Sequence, residues 1–380
     1  MRWLSDRGSS LYIVMLSLSA GCGAGTPVGA LSVALGDEHR IIIQAPDVDE
    51  LGRELHRLNI PVVKGLAFHG GFVIRASESA AASLSGKLGG SYEKDVLYAL
   101  PGAQAKGGGA PPPPPPAQVI PWGISKIRAR DAATRGAGIT VCVSDTGIDL
   151  SHPDLKANIV GSVNTISPTK SATDDNGHGT HVAGIIAAVD NTMGVVGVAP
   201  LAKLIAAKGL SRSGTGWASD LAETIDECRV RGAHIINMSW GSSTPTGVIG
   251  DAIVRAASAG VLLIGAAGNE SGPVIYPAAY PQVVAVSAVD INDAFASFSN
   301  FGSEVENSAP GVNIYSTWKG GGYATISGTS MAAPHVAGVA ALMLSIFPAE
   351  TRDGLAGIDL GLSIDRQGSR GRIDAVLSTQ

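Results

Sequence analysis

Gly328-Thr329-Ser330-Met331-Ala332-Ala333-Pro334-His335-Val336-Ala337-Gly338 sets a serine at the entrance of an apolar, small-residue helix. Gly328 and Thr329 permit a tight entry, and Pro334 falls close enough to the first turn that its missing N–H costs little. Backbone amides at a helix start point outward and favour negative charge. A hydroxyl placed there suits a nucleophile whose attack creates an oxyanion. It also suits a plain N-cap, the usual role of a serine ahead of an alanine-rich helix. The rest of the chain has to decide between the two.

A serine hydroxyl attacks well only when a base removes its proton and a carboxylate orients that base. Asp145 ends the strand-like run Val141-Cys142-Val143-Ser144 and is followed by the turn residues Thr146-Gly147, so it sits on a rigid mount. His178 lies in Asp174-Asp175-Asn176-Gly177-His178-Gly179-Thr180-His181, flanked by glycines and leading into an apolar helix. His181 is one turn further in, which makes His178 the better candidate to face a cleft. Alone, each of these residues reads as a cap or a satisfied polar group. Together, in the order Asp, His, Ser, they read as a catalytic set.

With those three motifs in that order the chain resembles the subtilisin-type serine proteases, the subtilase family, over about Ala117 to Gln380 and more faintly before it. The resemblance implies that Ser330 attacks the scissile carbonyl, His178 acts as general base and then general acid, and Asp145 holds the imidazole tautomer. It implies that Asn269, after the apolar run Val261-Leu262-Leu263-Ile264, joins the Ser330 amide in an oxyanion hole. An extended peptide is most simply held by adding it as a strand to exposed backbone edges. The segments matching the family's edges are Leu210 to Gly216, with Gly214 and Gly216, and Ser239-Trp240-Gly241. The main specificity pocket would lie between Ser239-Trp240-Gly241 and Ala266-Ala267-Gly268. Ile275 stands at its base where many relatives have a small residue, so the pocket is expected to be shallow and to prefer small or medium apolar side chains. The resemblance also implies a structural calcium ion held by Gln118, Asp154 and Asn191 with the carbonyls of Val189, Met193 and Val195. Such oxygen-only ligation is hard-cation chemistry.

The 380 residues carry a net charge of −5 and only 16% charged side chains, without a basic patch, which argues against a nucleic-acid binder and agrees with a secreted hydrolase. Of the three cysteines, Cys142 falls in a strand and Cys228 in a helical stretch, Ala218 to Arg231. They read as buried thiols rather than a bridge, and no Cys/His metal cluster is visible. The expected partners are polypeptide substrates, with the protein a monomer.

The N-terminus carries an address. Arg2 and Arg7 precede the apolar run Leu11 to Leu18 and the small residues Ser19-Ala20-Gly21-Cys22, the pattern of an export signal. Ser-Ala-Gly-Cys also resembles a lipoprotein signal, in which Cys22 is lipidated, so the protein is expected to be secreted or anchored at the cell envelope. Residues 39–100 form a second unit. Arg40–Gln44, Gly71–Arg75 and Val96–Leu100 read as strands, and Val48–Leu58 and Ser77–Leu88 as helices. This small α+β, ferredoxin-like order resembles the inhibitory propeptide of subtilases, which would act as an intramolecular inhibitor in a zymogen. Residues 101–116 join flexible glycines to the stiff run Pro111–Pro116. Their prolines beside Leu100 and Ala117 are poor neighbours for a scissile bond.

The organisation expected is therefore a signal segment at 1–22, a propeptide at 39–100, a Gly/Pro-rich linker at 101–116 and a catalytic domain at 117–380. Gly371-Arg372-Ile373-Asp374-Ala375 resembles the family's terminal helix start. The apolar strands Ile139–Val143, Lys203–Ala207, His234–Met238, Val261–Gly265 and Val283–Val286 alternate with helices, which predicts an α/β, three-layer fold with a central, mainly parallel sheet. Three functions fit: an active endopeptidase, a homologue kept inactive by its own propeptide, and an esterase-like hydrolase. No Gly-x-Ser-x-Gly elbow surrounds Ser330.

Overall fold

The computed structural model describes residues 38–102, 104–105 and 117–349. The segment read as an export signal, with Cys22, most of the Gly/Pro stretch and Gly371–Ala375 lie outside the described residues.

The chain first builds a small α+β unit from β1 (His39–Gln44), α1 (Val48–Arg57), β2 (Val62–Leu66), β3 (Gly71–Ala76), α2 (Glu78–Leu88) and β4 (Ser91–Lys94). The strands pair antiparallel in the order β2-β3-β1-β4. Ile41, Ile43 and Ile74 meet Leu51 and Leu55 of α1 and Ala81 and Leu84 of α2 in its core. Asp47 and Ser77 cap the two helices by accepting from Glu50 N and Ala80 N. One expectation is corrected: the closing strand is β4, and the segment read as Val96–Leu100 leaves this sheet. Its central part, β5 (Leu97–Ala99), and the two-residue β6 (Gln104–Ala105) pair instead with strands of the larger body. Alternating residues specify a strand but not its neighbour, and β4 already fills the edge beside β1.

The larger body follows as α3 (Trp122–Lys126), β7 (Thr140–Asp145), β8 (Ile159–Asn164), α4 (His178–Ala187), β9 (Lys203–Lys208), β10 (Thr215–Trp217) and α5 (Ala218–Val230). It continues through β11 (Ile235–Met238), α6 (Gly247–Ser258), β12 (Leu262–Ala266), β13 (Val283–Val289), β14 (Val305–Pro310), β15 (Ile314–Trp318), β16 (Gly322–Ser327) and α7 (Thr329–Leu344). Seven strands lie in the order β14-β13-β12-β11-β7-β9-β8, and every neighbouring pair is parallel. Side chains alternate between two cores. Val141 and Val143 of β7 point into the one shared with α4 and α7, while Cys142 joins the one shared with α5 and α6. Burial on both faces accounts for the unbroken apolar strands.

The cysteines require a second correction. Cys142 and Cys228 are fully buried, yet they form a disulfide with their Cα atoms 5.7 Å apart. α5 packs directly on β7. That brings together two residues separated by 86 positions, a proximity invisible to local sequence.

The two bodies meet at the starts of α5 and α6. The N-cap residues of these helices, Trp217 and Thr246, make no side-chain capping bond. The donors are met from the small unit: Asp95 accepts from Ser219 N at 2.9 Å, and Glu93 from Gly247 N and Val248 N at 2.8 and 2.7 Å. A carboxylate suits a helix start for its charge as well as its oxygens. Burial raises both carboxyl pKa values against the pull of these bonds. Lys64 adds ion pairs to Asp220 and Glu223 of α5.

Candidate active site

Asp145 ends β7, and its backbone carbonyl accepts from Gly209 N and Leu210 N. His178 opens α4 behind Gly177, whose φ of 120° favours glycine. The His178 Nδ1 lies 2.8 and 3.0 Å from the two carboxylate oxygens of Asp145. The Nδ1–H donates to the carboxylate, leaving the Nε2 lone pair free. Gly179 permits this approach, because a Cβ there would stand 2.1 Å from the Gly147 carbonyl and 3.1 Å from Asp145 Oδ1.

Ser330 is the second residue of α7, whose N-cap is Gly328, so its side chain does not cap the helix. The hydroxyl donates to the Ser239 carbonyl at 3.2 Å. Ser239 Oγ in turn donates to the Ser330 carbonyl, and Asn237 Nδ2 donates to Ser239 Oγ. The Ser330 hydroxyl is thus turned toward Ser239, and His178 Nε2 is left without a hydrogen bond among the described residues.

Asn269 accepts from Thr329 N and Thr329 Oγ1 through one oxygen, both at 2.9 Å. These bonds fix its amide so that Nδ2 is buried without a partner among the described residues. A Cβ placed on Gly328 would lie 3.1 Å from that Nδ2 and 3.7 Å from Ser330 N. Both donors thus border the same small space, the arrangement that binds a developing oxyanion.

Asp174 has a part that its sequence position alone did not assign. Its Oδ1 accepts from Asn176 N, Gly177 N and Thr146 Oγ1, and its Oδ2 from Thr180 N and Thr180 Oγ1. Thr146 Oγ1 then accepts from Gly179 N. This buried carboxyl, its pKa raised by desolvation, ties the loop after Asp145 to the start of α4 and so positions the Asp145–His178 pair. The Asp-x-Asn-Gly pattern of an Asx turn is its sequence signal.

The segment after β4 crosses this site as an extended strand. Leu97, Tyr98 and Ala99 pair antiparallel with Trp217, Gly216 and Thr215 of β10. On the other side Ala99 exchanges both backbone bonds with Gly241, and Leu100 N donates to Gly214 O. Continuing the Ala99–Gly241 register by two residues brings Pro101 opposite Ser239. Gln104 and Ala105 then pair with Ser327 and Ile326 of β16. Gly214, Gly216, Ser239, Trp240 and Gly241, read from sequence as peptide-binding edges, all border this strand.

Ile275 spans the pocket expected between Ser239–Gly241 and Ala266–Gly268. Its N–H donates to the Ala267 carbonyl on one wall, and its Cδ1 lies 2.4 Å from where a Gly241 Cβ would stand on the other. The calcium candidates also gather. Asp154 accepts from Asn191 Nδ2 at 2.8 Å and Val195 N at 2.9 Å, while Gln118 Nε2 donates to the carbonyls of Val189 and Val195 at 2.9 and 3.4 Å. Met193 N donates to Asn191 Oδ1. No cluster of three His, Cys, Asp or Glu side chains occurs among the described residues, so carbonyls and amides dominate this donor set. Half a turn of the Gln118 amide puts an oxygen beside those carbonyls, which fits a hard cation.

The Asp145–His178 pair and Ser330 at a helix entrance beside a two-edged cleft, on a parallel sheet with helices on both faces, are the features of a serine protease of the subtilisin type. The Subtilase family profile matches residues 136–358, and the chain belongs to that family. It is 52% identical over 241 residues to a "Thermostable alkaline protease" of Halalkalibacterium halodurans, covering 62% of this chain and 66% of that protein. It is 44% identical over 272 residues to M-protease of Shouchella clausii, covering 70% and 71%. Subtilisin Savinase of Lederbergia lenta is 48% identical over 231 residues, covering 60% of this chain and 85% of that protein.

Proposed function

We propose that the protein is a serine endopeptidase acting through an acyl-enzyme on Ser330, made as a zymogen in which residues 39–100 are the inhibitory propeptide. The observation that carries this reading is the extended segment held between β10 and Ser239–Gly241 beside Ser330. A cleft with two backbone edges in register accepts polypeptide, whereas an ester hydrolase has no need of it.

In the reaction, His178 Nε2 takes the Ser330 proton as Oγ bonds to the scissile carbonyl carbon. The carbonyl electron pair moves onto oxygen, which accepts from Asn269 Nδ2 and Ser330 N–H. Asp145 stabilises the imidazolium. The C–N bond then breaks as His178 passes its proton to the departing amine, leaving an ester on Ser330. A water molecule, deprotonated by His178, attacks that ester, and the proton returns to Ser330 as the acid product leaves.

Calcium is the ion we propose for Gln118, Asp154 and Asn191 with the carbonyls of Val189, Met193 and Val195. Bound there, it would tie the start of the catalytic body to the loop after α4. Export by residues 1–22 completes the proposal, with the product secreted or held at the envelope through Cys22. The Cys142–Cys228 bridge supports an oxidising compartment.

Labelling by a fluorophosphonate, together with casein hydrolysis, tests the reading. Both are expected in the processed protein, freed of residues 39–100, and lost in Ser330→Ala. Labelling without casein hydrolysis would favour an esterase, and neither would favour a catalytically silent binding protein.

A further inference from the structure

Lys208 ends β9 and is the register partner of Asp145 at the end of β7. Its side chain is only 8% exposed, an unusual place for an ammonium, which carries three N–H donors and no acceptor. All three donors are used. Nζ donates to the Thr146 carbonyl at 2.7 Å, to Asp175 Oδ1 at 2.7 Å and to the Leu210 carbonyl at 3.0 Å. Each acceptor comes from a different part of the site: Thr146 follows Asp145, Asp175 lies three residues before His178, and Leu210 opens the edge beside the extended strand.

The neighbours of these contacts lead to the reacting groups. Thr146 N donates to Asp145 Oδ1 at 2.7 Å, and Leu210 N donates to the Asp145 carbonyl at 3.0 Å. Asn176, whose Oδ1 accepts from His178 N, donates through Nδ2 to the Arg212 carbonyl at 2.9 Å, a second tie between the histidine turn and the edge. Stability is a poor reason for the cation. Its only charged partner, Asp175, is 53% exposed, so the ion pair adds little, whereas taking an ammonium out of water is costly. What three fixed donors supply is one anchor shared by three loops.

We propose that Lys208 is a positioning residue that couples the peptide-binding edge to the Asp145–His178 pair, so that a substrate strand laid along Leu210–Gly216 steadies the base acting on its scissile bond. This rests on the endopeptidase reading above and deepens it. The edge then contributes to the transition state as well as to binding.

The test uses the protein freed of residues 39–100 and two thiobenzyl esters, acetyl-Ala and acetyl-Ala-Ala-Leu-Ala. The short ester has no residue to pair with Gly214 or Gly216, whereas the long one lies along both. Lys208→Met keeps the stem and loses the donors. It is expected to lower the long-to-short ratio of kcat/KM about 10-fold, the worth of one net hydrogen bond. General damage to the fold slows both esters alike and leaves that ratio where it was. Asp175→Ala, a change at a half-exposed side chain, should lower the ratio in the same direction by a smaller factor, and it decides the matter if Lys208→Met does not fold. A native ratio near one, or a ratio unmoved in whichever variant folds, overturns the proposal. If the unaltered protein cleaves neither casein nor ester and takes up no fluorophosphonate, the endopeptidase reading falls and this one with it; casein hydrolysis with an unmoved ratio removes this one alone.

Discussion

Ser330 gives its hydroxyl hydrogen bond to the carbonyl of Ser239 rather than to His178. In an antiparallel ladder the residue opposite Ser239 would normally offer that carbonyl an N–H. Pro101 stands there and has none, so nothing from the bound strand competes for it.

Pro101→Ala should therefore speed self-cleavage. An alanine N–H satisfies Ser239 and releases the serine hydroxyl toward the free Nε2 lone pair. Purified full-length protein followed by mass spectrometry is expected to yield a new terminus at residue 102 at least about 10-fold faster, the equivalent of one net hydrogen bond. An unchanged rate would show that proline does not set the latency.

Asn269→Ala removes the one side-chain donor in the proposed oxyanion hole and also frees Thr329 N. A fall in kcat of about 100- to 1000-fold with little change in KM is expected. Steady-state kinetics on a nitroanilide check it, and a fall confined to KM would argue for a structural Asn269.

Replacing Cys142 and Cys228 by alanine opens a loop spanning 86 positions. The chain-entropy treatment of a loop that size gives a loss of about 4–5 kcal/mol. Denaturant unfolding of the Ser330→Ala background, which cannot digest itself, measures the difference.

His181 and His335 are wholly buried, and burial drives their pKa values down to about 3 and about 4. Both stay neutral when folded but take up a proton near pH 6.5 when unfolded. Their contribution is complete above pH 6.5 and is lost as pH falls through that value toward 4 and then 3. Thermal melts of Ser330→Ala should show Tm declining across this window, less steeply in His335→Gln. A flat Tm from pH 6.5 to 4 would contradict the burial argument.

Calcium removal provides the fifth check. With Gln118, Asp154 and Asn191 ligating an ion, EDTA should lower Tm and hasten autolysis, with recovery on adding calcium. An Asp154→Asn protein should lose most of that response, and an EDTA-insensitive native protein would dismiss the site.

The parts legible in the sequence were those whose meaning is local. Asp145 at a strand end, His178 between glycines and Ser330 at a helix entrance each carry their geometry in neighbouring residues, and alternating apolar strands and helices announced the parallel sheet. Ile275 was visible as a large residue in a small residue's place. Partnerships across the fold were not legible. Cys142 and Cys228 meet only because α5 lies on β7, and Leu97–Ala99 had the pattern of a strand with no mark of which sheet would take it. Asp174 escaped because its five donors converge from three places, Thr146 after β7, the turn at Asn176 and Gly177, and Thr180 in α4.

Glu93 and Asp95 supply α6 and α5 with terminal acceptors that neither helix makes for itself. The catalytic body thus borrows two of its nucleation sites from a segment that the proposed maturation discards. A shortened chain starting afresh must close those first turns against water alone, while one already assembled has only to keep them closed. The maturation proposed would in this sense be a ratchet: it would leave the folded shape in place and remove the scaffold by which that shape is most readily regained.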